Sequence, residues 1–271
     1  RSDFRVYSPG IQAAFGNDFG HNSAVPEKAV EEIKAQPGVT SEVYLYRNTF
    51  EDDHISCDWG TPYVVDNTNK ELRMMPEHLN LGVYQTGTER DYAALTADNH
   101  PLGNVFGFSE NFFDQLDIIE GETDLSVLKD KLWNGNNVIL MGEYNDHGNF
   151  GGAEAAAYCG LSVGDTIQFY ENGTPTEEFT IIAKAAATDG DVTVTGGGSN
   201  IAQIIEGPRI FMAENKFKEI YETPTLYGFL FDVEEQYQQE METYLAQDTD
   251  VAYTSILTMK ATVSGVKNVV L

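Results

Sequence analysis

Asn172-Gly173 stands between two runs of alternating apolar and polar residues, TIQFY at 166–170 and EEFTIIAKA at 177–185. Two consecutive residues that accept positive φ form a tight turn whose twist matches that of the strands it joins, so this stretch can hardly avoid an antiparallel hairpin. The chain therefore contains a sheet. A hairpin alone cannot bury its apolar face, so the rest of the chain must supply neighbours for it.

The supply is adequate. Of the 271 residues, 41% are hydrophobic and 11% aromatic, and a chain of this length buries roughly three quarters of its unfolded surface. That composition excludes a disordered acidic tail as the main state. With 43 Asp and Glu against 16 Lys and Arg the formal net charge is -27, so a phosphate backbone meets repulsion over most of the surface and nucleic acid is excluded as a partner. The charge reads as a solvated exterior rather than a cation store.

Periodicity places the other elements. Pro26 suits a first helical turn, Ala29, Val30 and Ile33 share one helical face, and Pro37-Gly38 ends that helix before the strand EVYLYRNTF. Residues 50–105 carry weaker signals, with short strands expected at TPYVVD and LGVYQT. NVFGFS is a strand, after which Ser109 is expected to cap a short helix burying Phe112, Phe113 and Leu116. Asp124 is the expected N-cap of a helix with Leu125, Leu128 and Leu132 as its apolar stripe, Trp133 beside it and Gly135 as its stop. NNVILMGE follows as a buried strand. TDGDVTVTGGGSN is a glycine-rich loop.

After residue 207 strands and helices alternate. PRIFMA is a strand, ENKFKEIYE a helix facing Phe217, Ile220 and Tyr221 inward, and TLYGFLFDV a strand. A helix over 234–246 presents Tyr237, Met241, Tyr244 and Leu245, and DVAYTS is a last strand. This β-α-β run mirrors the helix-strand unit near the N-terminus, which predicts an α+β fold: a split ferredoxin-like β-α-β subdomain built from both chain ends, with an inserted strand-rich subdomain. The corresponding division is 1–110 with 207–271 for the first and 111–206 for the insert. Ile256, Met259, Val263, Val266 and Val270 recur at spacings of three and four, the narrow stripe of a helix that needs a helical partner.

The central stretches, taken in order, carry a resemblance. FGFSENFFDQLDIIEGETD, NNVILMGE, YCGLSVGDTIQFYENGTPTEEFTIIAKA and GPRIFMAENKFKEIY together resemble the extracytoplasmic domain of FtsX-like ABC transporter permeases, the type known as the MacB-like periplasmic core domain. The resembling marks are Phe112-Phe113-x-x-Leu116, Gly121-Glu122, a strand ending in a small residue and Glu, and GLSVGDTI leading into the hairpin. They cover about residues 105–220; the two ends agree by order of elements only. The polar stretch 50–104 and the glycine-rich loop 188–200 depart from the family's pattern. Each mark alone is unspecific, and their order carries the likeness.

The resemblance implies a non-catalytic domain looped out between two transmembrane helices, on the extracytoplasmic face of the membrane. It implies flanking spans, a separate cytoplasmic ATP-binding subunit and a second permease copy as partners. Residues 1–20 would then leave one span and 256–271 lead into the next. No run here is long and apolar enough to cross a bilayer, no signal peptide is evident, and the chain starts at Arg1 instead of Met, which agrees with a processed protein or a segment of a longer one.

Motifs for chemistry are weak. There is no GxxxxGK[ST], no GxSxG and no HExxH, so neither catalysis nor a cofactor is expected. The sharpest metal candidates are Glu143, Asp146 and His147, within five positions in EYNDHGNF, although Asn145 and Gly148 make that run an ordinary loop. Asp189 and Asp191 begin like a calcium loop that lacks its terminal Glu. The scattered His21, His54, His78 and His100 read as solvent-facing. Tyr84, Tyr92, Phe106 and Phe108 are candidates for lining a cleft for a sugar or peptide, against the commoner role of filling a core. Cys57 and Cys159 read as two separate core residues, a single disulfide being the alternative. A secreted carbohydrate- or peptide-binding module is the alternative function, and a hydrolase acting through Glu143 or His147 a third.

Overall fold

The structure is a computed structural model and describes residues 2–8, 24–49, 52, 54–58, 63–65, 72–74, 104–142, 161–187 and 209–257. Its organising feature is one mixed sheet. In chain order the elements are β1 (Phe4–Tyr7), α1 (Glu27–Lys34), β2 (Val39–Arg47), β3 (Ile55–Asp58), β4 (Tyr63–Val65), β5 (Leu72–Met74) and β6 (Asn104–Phe108). They continue with β7 (Leu116–Gly121), α2 (Leu125–Asn134), β8 (Asn137–Gly142), β9 (Thr166–Glu171) and β10 (Thr174–Ala187). The last are β11 (Arg209–Ala213), α3 (Glu214–Ile220), β12 (Thr225–Val233), α4 (Gln238–Gln247) and β13 (Ala252–Ser255). Among the described residues eleven strands share the sheet in the order β13-β1-β12-β2-β6-β11-β8-β10-β9-β3, with β7 also on β10, while β4 and β5 pair separately.

The chain ends meet in the first four strands. β1 lies between β13 and β12, and β12 lies against β2, every pairing antiparallel. Alternate residues on these strands, Phe4 and Val6 from β1 and Phe229, Phe231 and Val233 from β12, face α1 and α4. Ala29, Val30 and Ile33 of α1 and Met241 and Leu245 of α4 complete that core, as their helical spacing predicts. α4 is preceded by a short 3-10 turn over Glu235–Tyr237, so the expected helix start at 234 is a tighter coil there.

From β2 the sheet continues without a break. β6 is antiparallel to β2 and parallel to β11, β11 is antiparallel to β8, and β8 is parallel to β10. The pairing of β11 with β8 thereby links the 207–271 stretch to the 111–206 stretch. One side chain cluster does so too, joining Val43, Leu45, Tyr227 and Leu230 to Leu128, Leu132, Ile139 and Phe211. The opposite face of this half packs against α3 through Phe217 and Tyr221, with Ile55 and Cys57 of β3 in the same cluster.

The hairpin is β9-β10, and Asn172 and Gly173 take φ of 47° and 76°, the positive pair the tight turn demands. β10 runs well past its partner, pairing β9 through its first half and β7 through its second.

Three local expectations change. Leu116 opens β7 instead of ending a helix: Glu110–Gln115 is a single 3-10 stretch, and the chain then extends to reach the edge of β10. Ser109 gives that stretch no side-chain cap; its Oγ accepts from the Tyr44 N–H at 2.9 Å, tying β6 to β2. Leu125 is exposed at the first position of α2, so Leu128 and Leu132 are its fully buried residues, with Trp133 packed partly buried beside them. Asp124 does cap α2, accepting from the Ser126 and Val127 N–H groups at 2.9 and 3.3 Å. LGVYQT, the glycine-rich loop, Cys159, and the C-terminal stripe beyond Leu257 lie outside the described residues.

Candidate functional site

Both ends of the described chain converge on Asp3. Its carbonyl accepts the Ile256 N–H at 2.9 Å, so the residues by which the chain enters β1 and leaves β13 are hydrogen-bonded neighbours. The Asp3 N–H donates to Asp232 Oδ1 at 3.0 Å, while Asp3 Oδ2 accepts the Val233 N–H and the Gln238 side-chain amide, each at 3.2 Å. Gln238 also donates to the Val233 carbonyl at 3.1 Å. One half-buried carboxylate thus fastens the start of β1 to the end of β12 and the first turn of α4. A carboxylate suits this place because backbone donors left over at a strand end need an acceptor.

A second carboxylate holds the other end. Glu242 of α4 accepts from the Tyr253 hydroxyl at 3.0 Å and from the buried Ser255 hydroxyl, so α4 grips β13 at two points. Burial, reinforced by the Glu242 carboxylate, raises the Tyr253 phenol above its ordinary pKa, which keeps it a donor. Tyr237 and Tyr244 of the predicted stripe sit half-buried alongside. The arrangement has nothing that breaks a bond. What it can do is hold two chain ends together and join them to one helix.

A buried polar segment after β2 is the other concentration of polar groups. The Arg47 guanidinium carbon lies 5.2 Å from the Phe106 ring centre and 5.5 Å from that of Tyr227. Asn48 prolongs the ladder with its side chain, its Oδ1 accepting the Val105 N–H at 3.0 Å. Thr49 and Asp52 close a small turn, the Thr49 N–H donating to Asp52 Oδ2 at 2.7 Å. The T-x-x-D spacing is the signal that could have found this turn. The Tyr221 hydroxyl is fully buried and, among the described residues, has no hydrogen-bond partner. Burial, with Cys57 and Asp52 adding to it, pushes that phenol well above its ordinary value. An unsatisfied buried hydroxyl costs about 1 to 3 kcal/mol. Tyr221→Phe is therefore expected to leave stability unchanged or raise it by about 1 kcal/mol, and a clear drop in the urea midpoint would show that the hydroxyl has a partner.

Of the sequence candidates, Phe106 and Phe108 are in the core, both 0% exposed. Two residues apart on β6, they face the same side. There Phe106 stacks on Phe211 at 4.6 Å, and Phe108 meets Phe112, Phe113 and Trp133 at 5.1 to 5.6 Å. The 3-10 stretch and α2 cover that face, so these two rings line no cleft. Tyr84, Tyr92, Glu143, Asp146, His147, Asp189 and Asp191 lie outside the described residues. His54 is half-buried, its carbonyl accepting the Asn172 N–H at 2.8 Å. Among the described residues no three His, Cys, Asp or Glu cluster as metal ligands, and no helix is long and apolar enough to cross a membrane.

No protein-family model matches the sequence, and no curated protein matches it. Among solved structures the chain is similar to the periplasmic region of MacB from Actinobacillus actinomycetemcomitans, at 11% identity and a TM-score of 0.41 over 96% of this chain and 92% of that one. It is similar also to the extracellular domain of the noncanonic ABC-type transporter YknZ from Gram-positive bacteria, at 10% identity and a TM-score of 0.40 over 94% and 100%.

Proposed function

We propose that this chain is the extracytoplasmic domain of an FtsX-like ABC transporter permease, without catalysis or cofactor of its own. In this reading flanking transmembrane helices and a separate cytoplasmic ATPase supply anchoring and energy, and a second permease copy stands opposite. The observation that carries the reading is the hydrogen bond between Asp3 and Ile256. A domain looped out between two spans must enter and leave at one place. The strand order β13-β1-β12-β2, with α1 and α4 on one face, supports treating the chain ends as a split ferredoxin-like subdomain and residues 111–206 as its insert. Displacement of either anchor would be felt first at β1 and β13. β1 is hydrogen-bonded to β12, so the pull would pass into the sheet instead of a loop.

The coding sequence on both sides of residues 1–271 provides the test. Apolar segments of about 20 residues on each side are expected, together with protection of both segments, but not of this domain, from protease added outside the cell. A cleavable signal peptide before residue 1 and a stop codon soon after 271 would overturn the reading in favour of a secreted binding module.

A further inference from the structure

We infer that Glu242 is a latch that makes β13 and α4 move as one body. β13 is a four-residue strand at the end of the sheet order, paired antiparallel with β1 in register from Phe4↔Ser255 to Tyr7↔Ala252. Only Ser255 of its four residues is fully buried, and the other three are half-buried or exposed. Short strands with little apolar burial open at low free energy, well before the body of a domain unfolds. The fastening that offsets this is polar. Tyr253 and Ser255 both donate to the Glu242 carboxylate, from the strand to the middle of α4. Hydrogen bonds to an ionised acceptor are about twice as strong as neutral ones. α4 is itself seated on the sheet by Met241 and Leu245, which flank Glu242 in its sequence. The latch therefore connects a weakly buried strand to a helix that two side chains anchor in the core. Asp3 repeats the device for β1 through Gln238 in the first turn of the same helix.

The consequence for mechanism rests on the reading of the domain as anchored at both ends. A pull on residue 256 would fray an unlatched edge strand and be lost. Latched, it is delivered to α4.

Hydrogen exchange on the isolated domain tests the latch without depending on that reading. In the native protein, β13 and α4 amides are expected to open together. In Glu242→Ala the β13 amides should exchange at least about tenfold faster, while β12 and α1 keep their protection and the urea midpoint hardly moves. Glu242→Gln, which keeps one acceptor oxygen, should restore part of the difference, and Tyr253→Phe with Ser255→Ala should reproduce the Ala variant. Unchanged β13 exchange in Glu242→Ala would overturn the inference. An equal loss of protection in β12, α1 and β13 would do the same, since it would make Glu242 an ordinary contributor to global stability. Failure here with spans found on both sides would leave the anchored-domain reading standing, and the converse result would leave the latch standing.

Discussion

Phe211→Ala is expected to lower the unfolding free energy by about 4 kcal/mol, a large share of the roughly 5 to 15 kcal/mol that holds a domain folded. Phe211 is 1% exposed, and its ring lies 4.6 Å from Phe106, 6.0 Å from Phe112 and 6.2 Å from Phe108. Truncation removes both the transfer energy of the ring and the contacts of the three that surround it. How much the site can collapse decides where in the range the loss falls. Here the backbone is fixed on both edges, β11 being hydrogen-bonded to β6 on one side and β8 on the other. The cavity would then persist. Urea unfolding should show a lower midpoint at unchanged slope, and Phe211→Leu, which keeps most of the volume, should lose less than half as much. A loss below about 3 kcal/mol, the bottom of the range for a buried Phe→Ala, would mean that β11 is not the centre of the packed sheet.

That centrality could not be seen in PRIFMA, which reads as any buried strand. Sequence periodicity reports which residues of one element face inward, and it did so for Ala29, Val30 and Ile33 and for Met241 and Leu245. Asn172-Gly173 fixed the hairpin because the turn's dihedrals belong to those two residues themselves. Pairings between distant segments have no such local carrier. β6 lies beside β11 and β8 beside β10 in parallel, pairings that no short local turn can make or announce. β7 was hidden for a related reason. The sequence LDIIEG does not alternate because Ile119 is apolar yet exposed beside the core-facing Ile118, and only the edge of β10 makes it a strand.

The candidate site was less legible than the fold. Asp3 and Glu242 are two among 43 acidic residues, and nothing in their surroundings in the chain marks them. Their role comes from what lies across from them, Ile256 and Gln238 for Asp3, Tyr253 and Ser255 for Glu242. The two aromatic candidates among the described residues go the opposite way. Phe106 and Phe108 have the chemistry of a binding surface, but a strand covered on both faces leaves no surface to line.

Gly121→Ala should cost about 3 kcal/mol, from about 1 to 2 for the dihedral and the remainder for displaced backbone. Gly121 has φ of +99° at the end of β7, and a Cβ there would collide with the Ile182 carbonyl oxygen and lie 2.8 Å from Ala183 Cα. Both are backbone atoms of β10, at the irregularity where its pairing with β8 skips from Ile181 to Ala183. No rotamer can relieve that contact, so β7 must move off β10. The same carbonyl accepts the Glu122 N–H at 3.2 Å, and Glu122 then accepts the Asp124 N–H at 3.1 Å and pairs with Lys131 at 3.2 Å. Gly121-Glu122 thus steers the chain from β7 into the cap of α2, which gives that pair a structural task independent of any ligand. Gly164 separates the two contributions. It has the same φ of +99° with nothing within 4 Å of its Cβ position, so Gly164→Ala should cost only the dihedral part, about 1 to 2 kcal/mol. Equal losses for the two variants in thermal or urea unfolding would show that β10 gives way at Ile182, and that the approach of β7 to β10 is looser than the bulge requires.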